Sequence, residues 1–375
     1  MIKIFMTGDN HFGRKNSRYD AVADKINELR FKSFENMVEK ANDEKANFFV
    51  VTGDMFDGQS NIGIKLIEKV ISILKKFNNK VLILPGNHDY YTSDSKLWDE
   101  FIKRLDTADN IVLMNEHRPY IEEALDEKVC FYPAYCGSKH SDKNVFDRLE
   151  DMELDENAIN ICVAHGAIDG LSLDSEGVYY PMDEYDFDEL GMDVYLVGHA
   201  HVPTPNDLTY KFETATQNYF NAGTHSQLDL NNNTDGECFI FEIEKKKDVD
   251  IKVKKYVSGI LKFKDINVNV KNSKDLKSEV EKEIKDIKDK NNVIVRLKIS
   301  GALDEENFNN REQILKDLTN DFLYCEKDFS DCYEEITIDM IGKEYPNTSN
   351  TFKFLEALKD NEKELRMAYD LVKNN

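Results

Sequence analysis

Five short polar groups in this chain have the residue types that bind metal: Asp9-Asn10-His11; Gly53-Asp54, with Asp57 three residues on; Gly86-Asn87-His88-Asp89; His165-Gly166; and Gly198-His199-Ala200-His201. Taken singly, most have an ordinary explanation. An Asp-x-His is commonly a turn with a satisfied histidine, and Gly-Asp is a frequent turn dipeptide. Gly-Asn-His-Asp is more specific, and Gly-His-x-His puts two imidazoles on one side of an extended segment. Together, in order, they offer two Asp, one Asn and four His, a donor set of oxygen and imidazole nitrogen without sulfur that suits manganese, iron or zinc. One carboxylate bridging two cations would hold them ~3.5–4 Å apart; such a pair clamps phosphate oxygens and activates a shared water for in-line attack on phosphorus. Ser72, Ser138 and the six cysteines show no partner pattern for nucleophilic catalysis.

These groups need a frame that gathers them. Each directly follows a run that reads as a strand: Ile2–Thr7, Phe48–Thr52, Val81–Leu84, Ile159–Ala164 and Val194–Val197. Sites of open α/β sheets assemble at the carboxyl ends of strands, and the glycines beside four of the five groups permit the sharp turn required. Phe31, Phe34, Met37, Val38 and Ala41 recur at helical spacing, and Ile62–Phe77 and Leu97–Leu105 also read as helices. This alternation predicts a parallel sheet with right-handed crossovers. Strands Val129–Tyr132, Tyr219–Asn221, Cys238–Ile243 and Ile251–Tyr256 are less regularly interleaved with helices, which predicts a second, mixed sheet packed on the first. A lysine-rich hinge, Lys262–Asp265, separates a large domain (1–261) from a smaller one (262–375). The smaller one reads as strand Ile266–Val270, helix Lys274–Lys288, strand Val293–Ser300, helix Glu312–Leu318 and a helical end, Phe352–Val372. The expected fold class is therefore α/β, with two packed mixed β-sheets flanked by helices and a smaller C-terminal α/β domain.

Across roughly residues 1–225 the five groups resemble the calcineurin-like metallophosphoesterase superfamily. The resemblance implies that Asp9, His11 and His201 hold one ion, that Asn87, His165 and His199 hold the other, and that Asp54 bridges them. It places His88 at the family's non-ligand histidine, which stabilises the transition state and protonates the leaving oxygen. Asp57 falls at the residue that orients this histidine in some branches, and an ionised partner there raises the imidazole pKa. Thr7-Gly8-Asp9-Asn10-His11-Phe12-Gly13, Gly53-Asp54-Met55-Phe56-Asp57, Tyr132-Pro133-Ala134-Tyr135 and Val295-Arg296-Leu297-Lys298-Ile299-Ser300-Gly301 are further similar to the SbcD-type DNA repair nucleases, including the YhaO-like group. In that group the small domain is a cap that shapes DNA access. The likeness implies a Mn-dependent 3′–5′ exonuclease and single-strand endonuclease of DNA repair and recombination. It also implies a homodimer joined to an SbcC-like coiled-coil ATPase.

Arg14, Lys15 and Arg18 form the only basic cluster next to the motifs, either a solvated loop or a contact to the phosphate backbone. Leu97, Trp98, Phe101, Ile102 and Leu105 make an apolar helix face suited to the core or to a dimer contact, while His117, His140 and His225 match no ligand position. The net charge of −23 runs against strong duplex binding, although bound cations would dominate the local field. A second reading is thus the same centre acting on a nucleotide, phosphoprotein or other small phosphoester. A third, a scaffold with structural metals, is disfavoured by the presence of both His88 and Asp57, which ligation does not need. Six cysteines without a C-x-x-C pair read as reduced thiols. No apolar run is long enough to span a membrane and no signal peptide is visible, so a cytoplasmic protein is expected.

Overall fold

The computed structural model describes residues 1–105, 108–172, 176–232, 234–270 and 275–373. The chain divides into two compact units, Met1–Phe263 and Lys264–Asn375. The first begins with strict alternation: β1 (Ile2–Thr7), α1 (Ala23–Asp43), β2 (Phe48–Val51), α2 (Ile64–Leu74), β3 (Lys80–Ile83), α3 (Lys96–Leu105) and β4 (Ile111–Leu113). It continues through β5 (Tyr120–Ala124), β6 (Glu127–Ala134), β7 (Ile159–His165), α4 (Glu184–Leu190), β8 (Val194–Gly198), β9 (Glu213–Thr214), β10 (Tyr219–Asn221), β11 (Glu237–Lys245) and β12 (Val249–Val257).

Among the described residues these strands form two mixed sheets, ordered β4-β3-β2-β1-β11-β12-β9 and β10-β8-β7-β6-β5. Strands β1 to β4 pair in parallel, as do β6, β7, β8 and β10, while β11, β12, β9 and β5 join antiparallel. The period of two along each strand decides the layering. Ile2, Ile4, Met6, Phe48 and Val50 enter a core with Phe131, Ile161, Val163, Leu196 and Phe220 of the second sheet. Phe5, Phe49 and Val51 face the other way, against Phe34, Met37 and Val38 of α1 and Val70 and Leu74 of α2. Phe5 and Phe49 stack with ring centroids 5.3 Å apart; each buried ring of this size is worth about 1.5–3 kcal/mol over leaving it in water. On the far face of the second sheet, Tyr132, Cys162 and Tyr195 pack with Phe146 and with Phe187 of α4.

The apolar face of α3 divides between the two sequence readings. Leu97, Trp98 and Phe101 lie in the helix-side core, whereas Ile102 is 43% exposed. Strands β4, β5 and β9, which the sequence reading lacks, are short or carry polar residues on an exposed face.

Strand β13 (Lys262–Asn269) runs into the second unit, which continues with α5 (Leu276–Ile284), β14 (Val293–Leu303), α6 (Glu305–Leu318) and β15 (Tyr324–Glu334), followed by α7 (Ile338–Glu344), α8 (Asn350–Glu356) and α9 (Glu362–Lys373). The expected hinge at Lys262–Asp265 brackets the boundary of the two units at Phe263 and Lys264; it also opens β13, in which Ile266 and Val268 turn into the core of the second unit while Phe263, out of phase with them, is buried as well. Val295, Leu297 and Ile299 of β14 pack with Val280 of α5 and Leu315 of α6. Helix α6 starts seven residues earlier than its apolar pattern, at an Asp304 cap whose side chain accepts from the Asn307 backbone N–H. Lys274, the first residue of the helix expected at 274–288, lies outside the described residues. The helical end expected at Phe352–Val372 is two helices, α8 and α9, which share with α7 a small core of Ile341, Phe352, Leu355, Leu365 and Tyr369.

Candidate metal centre

Carboxyl ends of β1, β2 and β3 from one sheet and of β7 and β8 from the other supply every predicted ligand. The turns that follow are not relaxed. Asp9, His11, Asp54 and His199 have φ of 48°, 45°, 51° and 110°, a left-handed region that costs side-chain-bearing residues on the order of 1 kcal/mol or more each. Backbone pairing holds them there: Asp9 N–H donates to Gly53 O (3.1 Å) and His11 N–H to Asp54 O (2.9 Å). His199 N–H donates to Asp9 Oδ2 (3.0 Å), tying the last motif to the first. Gly86 is required by close approach, since a Cβ there would strike the Asp54 carboxylate and backbone.

Asp54 faces two nests of donors. Its Oδ2 is 3.7 Å from His11 Nε2, and its Oδ1 is 3.5 Å from His165 Nε2. Around the first nest, Asp9 Oδ1 lies 3.7 Å from His201 Nε2 and 4.0 Å from His11 Nε2. Around the second, Asn87 Oδ1 lies 3.0 Å from His165 Nε2 and 3.3 Å from His199 Nδ1. The donor set fits divalent ions on three observations. The Nε2 atoms of His11 and His201 face each other at 3.1 Å, an arrangement suited to sharing a cation. Asp9 Oδ1 is buried without a hydrogen-bond partner, which is costly unless a cation satisfies it. His165 Nδ1 donates to Thr52 O (2.8 Å) and His11 Nδ1 to Asp57 Oδ1 (3.0 Å), which leaves both Nε2 lone pairs turned inward.

A family model for calcineurin-like phosphoesterases matches residues 2–203. The chain belongs to that family. Among solved structures it is similar to the calcineurin-like phosphoesterase YfkN from Bacillus subtilis, at 14% identity and a TM-score of 0.40, covering 76% of this chain and 95% of that one. It is also similar to a dimetal phosphatase from Danio rerio, at 12% identity and a TM-score of 0.34, covering 59% and 86%. A third similar structure is TT1561 of Thermus thermophilus, at 11% and 0.37, covering 64% and 93%. As a calcineurin-like phosphoesterase the chain is a metal-dependent hydrolase with a dimetal centre. Asp9, His11, Asp54, Asn87, His165, His199 and His201, the seven residues expected as ligands, are brought together at these strand ends.

The electrostatics are those of a site built around cations. Burial alone would raise the Asp54 carboxyl, but His165, His11 and His88 outweigh it and hold it far below the usual range. Burial pushes Asp9 up to about 7, with the neighbouring Asp54 adding to the effect. Burial also opposes the charged form of His165, yet Asp54 and Asp9 raise it to about 9.

His88 stands outside the nests. Its Nδ1 is 3.4 Å from Asp57 Oδ1, the same oxygen that receives His11, and the bond to Asp57 raises its pKa. Asp57 thus contacts His11 as well as the histidine it was expected to serve. The cleft over the centre has a volume of about 450 Å³ and is lined by Asp54, Asn87, His88, His199 and His201 together with Lys139, Leu171 and Tyr179. Arg14, Lys15 and Arg18 are outside that lining; Arg14 pairs with Asp229 at 3.2 Å, and Lys15 and Arg18 are exposed.

Three supports escape sequence reasoning. Buried Asp89 accepts from Gly86 N–H (2.7 Å) and Phe56 N–H (3.0 Å), locking the third motif to the second. Tyr179 lies against His199 with centroids 5.2 Å apart. Lys139 O accepts from Asn87 Nδ2 (3.3 Å), which turns the Asn87 carbonyl toward the ions. Asp89 sits inside a recognised motif, which is a signal; Tyr179 and Lys139 carry none.

Two outcomes test the centre. Asp54→Asn should lose at least one of two tightly held ions and most activity, read by metal analysis of the purified variant; full occupancy with near-normal turnover would remove Asp54 from the bridge. A divalent ion must displace the protons that Asp9 holds below about 7 and His165 below about 9. Both raised pKa values favour the metal-free fold at low pH and cease to do so as pH rises. The gain in melting temperature on adding Mn²⁺ to chelator-stripped protein should therefore grow from pH 5.5 to 8, and a flat or falling gain would contradict the assignment.

Proposed function

We propose that the chain is a manganese-dependent DNA nuclease of repair and recombination, cutting phosphodiester bonds as a 3′–5′ exonuclease and single-strand endonuclease. The observation that carries the reading is the His88–Asp57 pair, a proton donor at the cleft that ligation does not use. An alkoxide leaving from phosphorus needs a proton, and a positioned acid is worth ~10²–10⁴ in rate. With Nδ1 committed to Asp57, Nε2 is the ring position left to give that proton. When bound, a pair of divalent ions neutralises the non-bridging phosphate oxygens and furnishes a nucleophile from water at neutral pH. Asp54, flanked by both nests, fixes their spacing, and the main-chain N–H of His88 donates to Asp54 Oδ1 at 2.8 Å. The acid is thereby placed relative to the ions. DNA as substrate rests on the extended likeness of the motifs to SbcD-type nucleases, and with it come a homodimer, an SbcC-like ATPase partner and a cap role for the second unit.

The second reading, hydrolysis of a nucleotide or other small phosphoester, is favoured by the net charge of −23 and by the engagement of Arg14 with Asp229. In both readings Lys139, which lines the cleft, brings a cation suited to a substrate phosphate.

His88→Ala should keep both ions while the rate falls by ~10²–10⁴. Asp57→Asn should lower the rate and also weaken the ion held by His11, because both rings lean on one oxygen. An emptied site in His88→Ala would show that the roles are misassigned.

If Arg14, Lys15 and Arg18 touch the DNA backbone, replacing all three by Ala flattens the plot of log affinity against log salt by about 0.9 for each phosphate no longer neutralised, with aryl phosphodiester hydrolysis intact. An unchanged slope makes the loop a solvated turn. Nucleotide hydrolysis without any Mn-supported DNA cleavage, even beside the partner ATPase, would replace the nuclease reading with the second one.

A further inference from the structure

We infer that Arg30 of α1 is a positioning residue for the Asp9–His11 turn, and that a closed ring of Arg30, Asn10 and His225 sets how tightly the Asp9–His11–His201 nest holds its ion. The inference rests on the two-ion centre and not on the identity of the substrate.

Arg30 is 2% exposed and lies on the buried face of α1 with Phe31, Phe34 and Met37. No carboxylate forms an ion pair with it among the described residues, and its Nε is buried without a partner. Burying a guanidinium this way costs far more than burying the leucine or methionine that packing alone would select. What the arginine supplies instead is a pair of donor bonds: Nη2 donates to Asn10 O at 2.6 Å and to His11 O at 3.2 Å. Those two carbonyls fix the peptide planes on either side of His11, within the turn where Asp9 and His11 are left-handed.

A second connection closes the ring. Asn10 Nδ2 donates to His225 Nδ1 at 3.1 Å and to Thr7 Oγ1 at 3.2 Å, and His225 Nε2 donates back to Arg30 O at 3.2 Å. One neutral tautomer, Nδ1 accepting and Nε2 donating, satisfies both contacts. Phe12 and Phe34 hold the imidazole at centroid distances of 5.5 and 6.0 Å. Helix α1, the end of β1 and residue 225 are thus fastened to one another beneath a single nest, while the Asn87–His165–His199 nest has separate supports in Thr52 O and Lys139 O. Because the supports are separate, the two ions should respond differently to loss of Arg30.

The test is calorimetric titration of Mn²⁺ into chelator-stripped full-length protein, with circular dichroism and thermal melting of each variant. Arg30→Met should weaken one of the two ions by about 10- to 100-fold, the usual effect of removing an outer-sphere partner, and leave the other near its wild-type affinity. Arg30→Lys, which can still donate to both carbonyls, should recover a large part of the loss. Asn10→Ala should weaken the same ion by a smaller factor, and it decides the matter if Arg30→Met does not fold. Equal weakening of both ions, or a lowered melting temperature with both affinities unchanged, would overturn the positioning role. Fewer than two ions on the wild-type protein would instead overturn the two-ion centre, a separate failure.

Discussion

The site depends on one buried carboxylate that must serve two cation nests at once. Asp54 can do so only as an anion with each oxygen aimed at a different nest, and an isolated buried anion is among the least favourable groups a protein can hold. The surrounding imidazoles relieve that penalty while the ions are absent, and the ions take over when they bind. Several of the strained turns of the first unit gather around this group. The left-handed turns, the glycine against the carboxylate and the backbone N–H of His88 on Asp54 Oδ1 all keep its two oxygens in place.

Two sheets are needed because no single strand end brings seven donors to one point. The parallel half of the first sheet contributes Asp9, His11, Asp54 and Asn87, and the second contributes His165, His199 and His201. Their shared apolar core fixes the separation of the two groups of donors. Asp89 adds a direct tie from the third motif to the second.

Much of this is legible in the residues alone, for a physical reason. Metal-binding chemistry restricts residue type, and a parallel sheet puts each such residue just after an apolar run, so type and position reinforce each other. The supports follow no such rule. Arg30 reads as an ordinary helix residue, and Asp229, which engages Arg14, lies 215 positions away. Strand β15 is hidden in the sequence because its two faces are similarly half-exposed and it carries charge throughout, leaving no alternation to read. The start of α6 is hidden too, since its first seven residues hold a single apolar side chain and are announced only by a cap. The start of β13 is hidden inside the hinge expected at Lys262–Asp265, where the two units do divide, because lysines on both sides of a single buried Phe263 resemble a linker.

The Oδ1 of Asp57 receives both His11, a proposed metal ligand, and His88, the proposed acid. In genetic terms position 57 is therefore pleiotropic: an allele that disturbs it touches ion retention and proton delivery together, and no second change at either histidine alone restores both. A lineage drifting toward a new leaving group has to retune His88 without moving this oxygen.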